Sequence, residues 1–347
     1  MKRHWTPLHA SVHQTLRDRD LLPKHSRILI ALSGGQDSLC LTQLLVDLQP
    51  LWGWTLAIVH CDHRWRSDSA ENAAHVDRLA QSWGLPYHGA VAQTDVSTEA
   101  KARAWRYEVF RQVAIQDHYD CVVTGHTRSD RAETLLYNLV RGSGTTGLQS
   151  LQWRRPMGPV AGTDLVGLES AGLESAGLEV VRPLLDLARS QTYDFCIARS
   201  LPIWEDSTND DLRYDRNRIR QQILPLLTET LNPQAELHLA QTAEILRSEV
   251  DYLQRQVDEI YHGIVVVDSI DRQTKLHRPT AAALHLALQR RLIQRVCQDI
   301  KKFNPTFSQV ESLITLLTAP NRTQSASLPQ RTVAVVDGDW LVILSPT

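Results

Sequence analysis

Short apolar runs and amphipathic stretches alternate along the first two-thirds of the chain. The runs Arg27-Ile28-Leu29-Ile30-Ala31-Leu32, Thr55-Leu56-Ala57-Ile58-Val59-His60 and Cys121-Val122-Val123-Thr124 read as strands, with a further strand near Tyr87 to Ala92. Between them the spacing turns helical: a short polar helix over residues 5 to 20, then Leu39 to Val46, then Asp68 to Trp83, closed by Gly84 and Pro86. A longer helix starts at a Ser97 or Thr98 cap, with Glu99 close behind, and runs to about His118. Another covers Asp130 to Val140. Strands alternating with longer helices predict an α/β fold, a doubly wound parallel sheet covered on both faces. In such sheets a ligand lies beyond the carboxyl ends of the strands, where strand order reverses.

Order resumes at Val180-Val181-Arg182-Pro183-Leu184-Leu185, with a helix to about Ser200. From Pro225 the pattern is helical. Leu246, Val250, Leu253, Val257 and Ile260 form a stripe, a second helix covers Thr280 to Cys297, and the chain closes on a hairpin around Asp337-Gly338. The expected division is a catalytic domain over 1–226 and a mainly helical docking domain over 227–347. The repeat Gly-Leu-Glu-Ser-Ala at Gly167 and Gly172 has too short a period for a solenoid, so 161–179 reads as an expanded surface loop without chemistry.

Composition narrows the class. The chain has 347 residues, 42% hydrophobic and 22% charged, with a formal charge of −2. A polyanionic partner must therefore be met by a local patch rather than a global field. No apolar run is long enough to span a membrane, and no signal segment follows Met1, so a cytoplasmic enzyme is expected. The cysteines at 40, 61, 121, 196 and 297 form no C-x-x-C, which argues against disulfide, zinc and iron–sulfur readings.

The chemistry concentrates at strand ends. Ser33-Gly34-Gly35-Gln36-Asp37-Ser38 lies between the first strand and its helix. Glycines let the backbone approach a phosphate, and free amides at a helix start favour an anion. Asp37 would repel that anion unless a divalent cation lies between them, and magnesium is held by one or two carboxylates plus phosphates. The plainer alternative is a capped glycine turn. Gly142-Ser143-Gly144-Thr145-Thr146-Gly147 fits the dinucleotide pattern G-x-G-x-x-G but follows a helix, so that reading fails. Asp130 and Glu133 share a helix face and suit a diamino cation about as well as they suit an ordinary first-turn acidic pair. Arg103 and Arg106 share a face and suit a phosphate. Arg213, Arg216, Arg218 and Arg220 follow the acidic run 205–211. Spacing alone slightly favours a solvated, salt-bridged helix face over a phosphate patch. His63 and His126 sit at strand ends as candidate nucleotide contacts, though such histidines are often structural.

The glycine loop resembles the S-G-G-x-D-S pyrophosphate-binding loop of the ATP-pyrophosphatase (PP-loop) superfamily, whose fold is the adenine nucleotide alpha hydrolase type. Glu99-Ala100 with Ala102-Arg103 and Arg106-Tyr107, Asp130 with Glu133-Thr134 and Arg141-Gly142, Asp206-Ser207 with Asn209, and Tyr214 with Arg216 to Arg220 are similar to the patterns of its tRNA(Ile)-lysidine synthetase branch. The likeness covers about 24–227, and the final tRNA-binding domain of longer members is expected to be absent.

The resemblance implies ATP and Mg2+ as cofactors, L-lysine and an isoleucine tRNA with a CAU anticodon as partners, and ligation of lysine to the wobble cytidine through an adenylated intermediate. Decoding then switches from AUG to AUA. A homodimer is left open. On this reading Ser33 to Ser38, His63 and His126 hold the nucleotide and Asp37 the metal. Asp37, Arg103, Asp130 and Glu133 are the catalytic set. Asp130, Glu133, Arg106, Arg141, Arg216, Arg218 and Arg220 contact lysine or tRNA. Thr127, Ser129 and Arg131 depart from the pattern's His, Asp and Gln. The competing functions are tRNA 2-thiolation, an amide-forming synthetase, and a non-catalytic nucleotide-binding module.

Overall fold

The computed structural model describes residues 5–93, 96, 98–157, 177–205, 211–268, 273–301, 303–329 and 332–344. Most of the repeat loop, Ser97, and Asp206, Ser207 and Asn209 lie outside the described residues. The chain forms two compact units, Met1–Leu246 and Arg247–Thr347.

The first unit is built on a six-stranded sheet. It contains β1 (Arg27–Ala31), β2 (Thr55–Asp62), β3 (Tyr87–Val91), β4 (Cys121–Thr124), β5 (Arg154–Pro156) and β6 (Glu179–Val181) in the order β3-β2-β1-β4-β6-β5. All neighbours run parallel except β5, a short antiparallel edge strand that the apolar pattern did not announce. Its residues Arg154, Arg155 and Pro156 are all exposed, so there was no buried face to give an alternation.

Strand parity explains the two covered faces. Ile28, Ile30, Leu56, Ile58, Val123 and Val181 pack one way, against α1 (Pro7–Asp18), α2 (Gln36–Trp52), α3 (Ser69–Trp83) and α7 (Arg189–Ala198). Leu29, Ala57, Val59, Val122 and Val180 pack the other way, against Tyr107, Phe110 and Ala114 of α4 (Glu99–Gln116). Each buried valine, leucine, isoleucine or phenylalanine among them contributes about 1.5–3 kcal/mol. The central strands are apolar on both sides, hence their unbroken runs. Sequence order runs outward from β1 in one direction through β2 and β3, and in the other through β4, so the direction of winding changes between β1 and β4.

The remaining helices of this unit are α5 (Arg128–Val140), α6 (Thr145–Leu148), α8 (Asp215–Arg218), a π-helical turn Ile219–Ile223, α9 (Leu224–Thr230) and the first part of α10 (Ala235–Ile264). Thr98 caps α4 by accepting from Lys101 N at 3.2 Å.

The second unit holds the rest of α10 with α11 (Arg278–Ala282), α12 (Leu286–Lys301) and α13 (Phe307–Thr315). The hairpin expected around Asp337-Gly338 is β9 (Val333–Asp337) and β10 (Trp340–Leu344). Two further strands, β7 (Val265–Asp268) and β8 (Gln273–His277), extend it into a sheet ordered β7-β8-β10-β9. In β8 only Thr274 and Leu276 face inward, so the alternation offers one apolar residue and leaves no strand signal. Val257, Tyr261, Leu276, Ile293, Val296, Leu313 and Leu341 belong to one apolar core.

Candidate active site

The winding switch between β1 and β4 opens a cavity of ≈ 380 Å³ beyond the carboxyl ends of β1, β2 and β4. Ser33, Gly35, Gln36, Asp37, Ser38, His63, Arg103, Arg106, His126, Asp130 and Arg220 all line it.

The glycine loop leaves β1 and starts α2. Gly34 has φ +93°, and a Cβ there would meet Asn72 Oδ1 at 2.6 Å and Trp204 Cβ at 3.3 Å. Only glycine fits. At Gly125, after β4, a Cβ would lie 2.8 Å from the Asp37 carbonyl carbon and the Ser38 nitrogen, so glycine also lets the end of β4 close on the first turn of α2. Gly35 is the N-cap of α2 and offers no side chain to its first-turn amides. Within the loop the Ser33 and Ser38 hydroxyls are 3.1 Å apart, and Ser38 Oγ donates to Gly35 O at 2.9 Å.

Asp37 points into the cavity between two groups the motif did not reveal. Thr192 Oγ1 donates to its Oδ1, and Arg189 Nε lies 3.9 Å from its Oδ2. Gln36 Nε2 ties the same helix down by donating to Arg189 O at 2.8 Å. Burial pushes the Asp37 carboxyl above its usual pKa, with Arg189 opposing and Asp130 reinforcing. Among the described residues no three His, Cys, Asp or Glu side chains are grouped to hold a metal. A half-buried carboxylate beside an amide-rich loop nevertheless suits magnesium, which takes its remaining ligands from phosphate and water.

The second region is cationic. Arg103, Arg106 and Tyr107 share a face of α4. Arg103 Nη2 donates to the Tyr107 hydroxyl at 3.2 Å, and Arg182 Nη2 donates to it at 3.4 Å. The Arg155 guanidinium lies 5.3 Å from the ring centroid. Arg182 is 1% exposed. Among the described residues none of these arginines has a carboxylate partner, and the buried Nε atoms of Arg106 and Arg182 have no acceptor. Burial raises the Tyr107 phenol, yet Arg103, Arg182 and Arg155 outweigh it and hold its pKa below the usual value. His126, whose Nδ1 is 2.8 Å from Thr124 Oγ1, is driven down to about 3 by burial and then by Arg182. His60, buried with Nδ1 2.8 Å from Leu32 O, is also lowered, mainly by burial.

The third region is acidic. Arg220 Nε donates to Glu133 Oε1 at 2.6 Å, and Arg220 Nη2 donates to Glu133 Oε2 at 2.8 Å and to Asp130 Oδ1 at 3.2 Å. Asp130 Oδ2 accepts from Thr127 N at 2.8 Å and from the Thr127 hydroxyl at 2.9 Å. Burial raises the Asp130 carboxyl, and His126, Arg220 and Thr127 together bring it below its usual pKa. Glu133 ends above its usual pKa, because burial outweighs Arg220 there.

The remaining arginines separate. Arg213 pairs with Asp211 at 2.7 Å, Arg216 with Glu99 at 3.2 Å, and Arg218 with Asp215, whereas Arg220 turns into the cavity. Arg141 is exposed and donates to the Tyr137 hydroxyl. Arg141, Arg216 and Arg218 therefore lie outside the cavity lining, as does Glu133, which sits behind Arg220. The spacing blurred this division because a π turn at Ile219–Ile223 changes the helical phase just where Arg220 falls.

The three departures from the family pattern each hold structure. Thr127 caps α5, Ser129 Oγ accepts from Arg189 N at 3.2 Å, and Arg131 pairs with Glu244. Arg189, Thr192, Asn72 and Trp204 escaped sequence reasoning, since none stands in a motif. Arg182 carried one signal, a charge inside the apolar run Val180 to Leu185.

A family described as PP-loop domain matches residues 6–227. A tRNA(Ile)-lysidine synthase from a Nostoc species is 47% identical over 98% of this chain and 97% of its own length. One from a Synechocystis species is 45% identical over 97% of each chain. The solved structure of the U34-tRNA thiolase NcsA from Methanococcus maripaludis, with its 4Fe-4S cluster, matches at a TM-score of 0.55 and 16% identity, over 69% of this chain and 77% of that one. This last likeness concerns the fold alone.

Proposed function

The chain belongs to the PP-loop family, in its tRNA(Ile)-lysidine synthase branch, and from that premise we propose how its cleft carries out the reaction. It is an ATP-dependent carbon–nitrogen ligase that joins lysine to the wobble cytidine of an isoleucine tRNA. The observation that carries this reading is the convergence, around one cavity at the winding switch, of an amide-rich glycine loop, arginines with no carboxylate partner among the described residues, and the Asp130–Glu133 pair behind Arg220.

In the first step the cytosine 2-carbonyl oxygen attacks the α-phosphorus of ATP. A P–O bond forms, the α–β bridging P–O bond breaks, and pyrophosphate leaves. The glycine-loop amides and the Ser33 and Ser38 hydroxyls take the charge gathering on the leaving group. Asp37 would hold Mg2+, which supplies further charge neutralisation there. Arg103 and Arg106 offer unspent guanidinium donors to the α-phosphate, where negative charge peaks. In the second step the lysine ε-nitrogen attacks carbon 2, the carbon–oxygen bond breaks, and AMP leaves with that oxygen while the amine gives up its proton. Asp130 and Glu133 orient lysine through its amino groups, the ε-ammonium shedding a proton to solvent before its nitrogen attacks. Arg141, Arg216 and Arg218, outside the cavity, are assigned to the tRNA backbone.

Thiolation is disfavoured on chemical grounds. All five cysteines are free, and only Cys61 lines the cavity. Burial pushes its thiol up to about 12, the reverse of an activated nucleophile. Among the described residues no helix is long and apolar enough to cross a membrane, and the cytoplasm is the proposed location.

The test is incubation with ATP, magnesium, labelled lysine and isoleucine tRNA bearing a CAU anticodon. Label fixed in tRNA only when ATP is present is the expected result. ATP consumption driven instead by a sulfur donor or ammonia, without fixed label, would overturn the reading.

A further inference from the structure

The acidic region contains its own cation. Each of the four oxygens of Asp130 and Glu133 already accepts a hydrogen bond, three from Arg220 and the fourth from Thr127. With Arg220 in place Glu133 is 3% exposed and does not reach the cavity surface, while Arg220 and Asp130 do. An incoming ammonium therefore meets a guanidinium where the sequence pattern offered two free carboxylates. The two cations compete for the same acceptors, and the resident one is bound bidentately, the stronger geometry.

Two observations indicate that the resident cation can leave. Arg220 sits on the π-helical turn Ile219–Ile223, a form of backbone found as single turns at functional sites and one short rearrangement away from α-helix. It also lines the same cavity as Asp37, the carboxylate of the phosphate loop. A triphosphate seated on that loop, which lines the same cavity as Arg220, brings several negative charges into competition with Asp130 and Glu133 for the guanidinium.

We propose that Arg220 is a placeholder cation that keeps the Asp130–Glu133 pair closed to lysine until a triphosphate in the cleft draws its guanidinium away. This rests on the reading above that the pair is the lysine seat, and it adds an order of events. Nucleotide binding opens the amino-acid site, so lysine enters a cleft already charged for adenylation. By linkage the effect is reciprocal: lysine tightens nucleotide binding by the same factor as nucleotide tightens lysine binding.

Equilibrium dialysis of labelled lysine against the full chain tests this, with and without an α,β-methylene ATP analogue and magnesium. For the unaltered protein the analogue tightens lysine binding by roughly 10-fold or more. Arg220→Gln binds lysine more tightly than the unaltered protein when nucleotide is absent, and the analogue no longer helps it. Arg220→Lys, which keeps the charge but loses the fork, retains part of the coupling. Circular dichroism confirms that both variants fold. Equal lysine affinity with and without the analogue in the unaltered protein overturns the gate and leaves the lysine seat standing. So does weaker lysine binding by a folded Arg220→Gln in both conditions, which would make Arg220 a plain scaffold. If no form binds lysine in either condition, the seat itself is wrong and the gate falls with it.

Discussion

The acidic and the basic regions of the cleft treat buried charge in opposite ways. Around Asp130 and Glu133 every carboxylate oxygen is satisfied from within the chain. Around Arg103, Arg106 and Arg182 no carboxylate among the described residues answers the arginines, and two buried guanidinium nitrogens have no acceptor there. A buried unpaired charge is costly, so folding alone does not explain the second region. It is what a polyanion site looks like before its ligand arrives, whereas the first region already holds a stand-in for its ligand. Pairing, rather than charge count, thus separates a site waiting for a ligand from one that must first be vacated.

The largest expected effect lies between these regions. Asp37→Ala removes the carboxylate nearest the phosphate loop and lowers pyrophosphate release by about 10² to 10³ or more. Its partners Thr192 and Arg189 keep their other contacts, so circular dichroism should be unchanged. A folded Asp37→Ala enzyme with full pyrophosphate release would remove the metal role and, with it, the charge balance drawn here.

Arg106 and Arg131 give a matched pair. Among the described residues Arg106 has no acid partner, while Arg131, 1% exposed, is paired with Glu244. Arg106→Ala should cut pyrophosphate release about 10- to 100-fold through the lost phosphate contact and leave thermal stability level or slightly higher. Arg131→Ala should cost about 0.5–3 kcal/mol of stability by emptying a buried site and removing one partner of Glu244, which keeps Arg19 and Trp153. Equal destabilisation by the two changes would break the comparison, because Arg106 would then be a structural arginine with partners in solution.

The strand ends and the glycine loop were legible because their signals are local. β1 announces itself by an apolar run, and Gly34 and Asp37 stand at fixed offsets from it. Arg189 and Thr192 were not, because they reach Asp37 from α7, far along the chain, and only the folded sheet sets that distance. The arginine series failed differently. Four similar residues on a short stretch gave no means of telling Arg220 from Arg218, since the π turn that separates them leaves no mark in composition. β7 and β8 were hidden by a helix stripe running into Val265 and by a strand with one apolar inward residue.

A smaller effect concerns protons. His126 has a folded pKa of about 3, set by burial and by Arg182, against about 6.5 in an unfolded chain. Between those values the unfolded chain binds the proton and the folded chain does not. Stability should therefore fall as pH drops from about 6.5 toward 3, beginning above the range where ordinary carboxylates titrate. His60, lowered in the same direction, adds to the slope. Urea unfolding at pH 7 and pH 5 measures it, and His126→Asn should flatten the difference. An unchanged difference would mean the arginines beside His126 are screened, and the basic region less charged than its geometry implies.

The smallest effect tests where the basic region ends. Arg218 and Asp215 form an ion pair with side chains 54% and 55% exposed, outside the cavity. Exposed pairs of this kind contribute little, so Arg218→Ala should change stability by no more than about 0.5 kcal/mol and leave ATP binding alone. If Arg218 meets a tRNA phosphate, its loss weakens tRNA binding uniformly and lowers the slope of log affinity against log salt by about 0.7 to 0.9. Filter binding across a potassium chloride series reads that slope directly. A slope that does not move would take Arg218 off the RNA-facing surface and leave that role to Arg141 and Arg216. Arg218 would then be a solvated ion pair, as its spacing alone suggested.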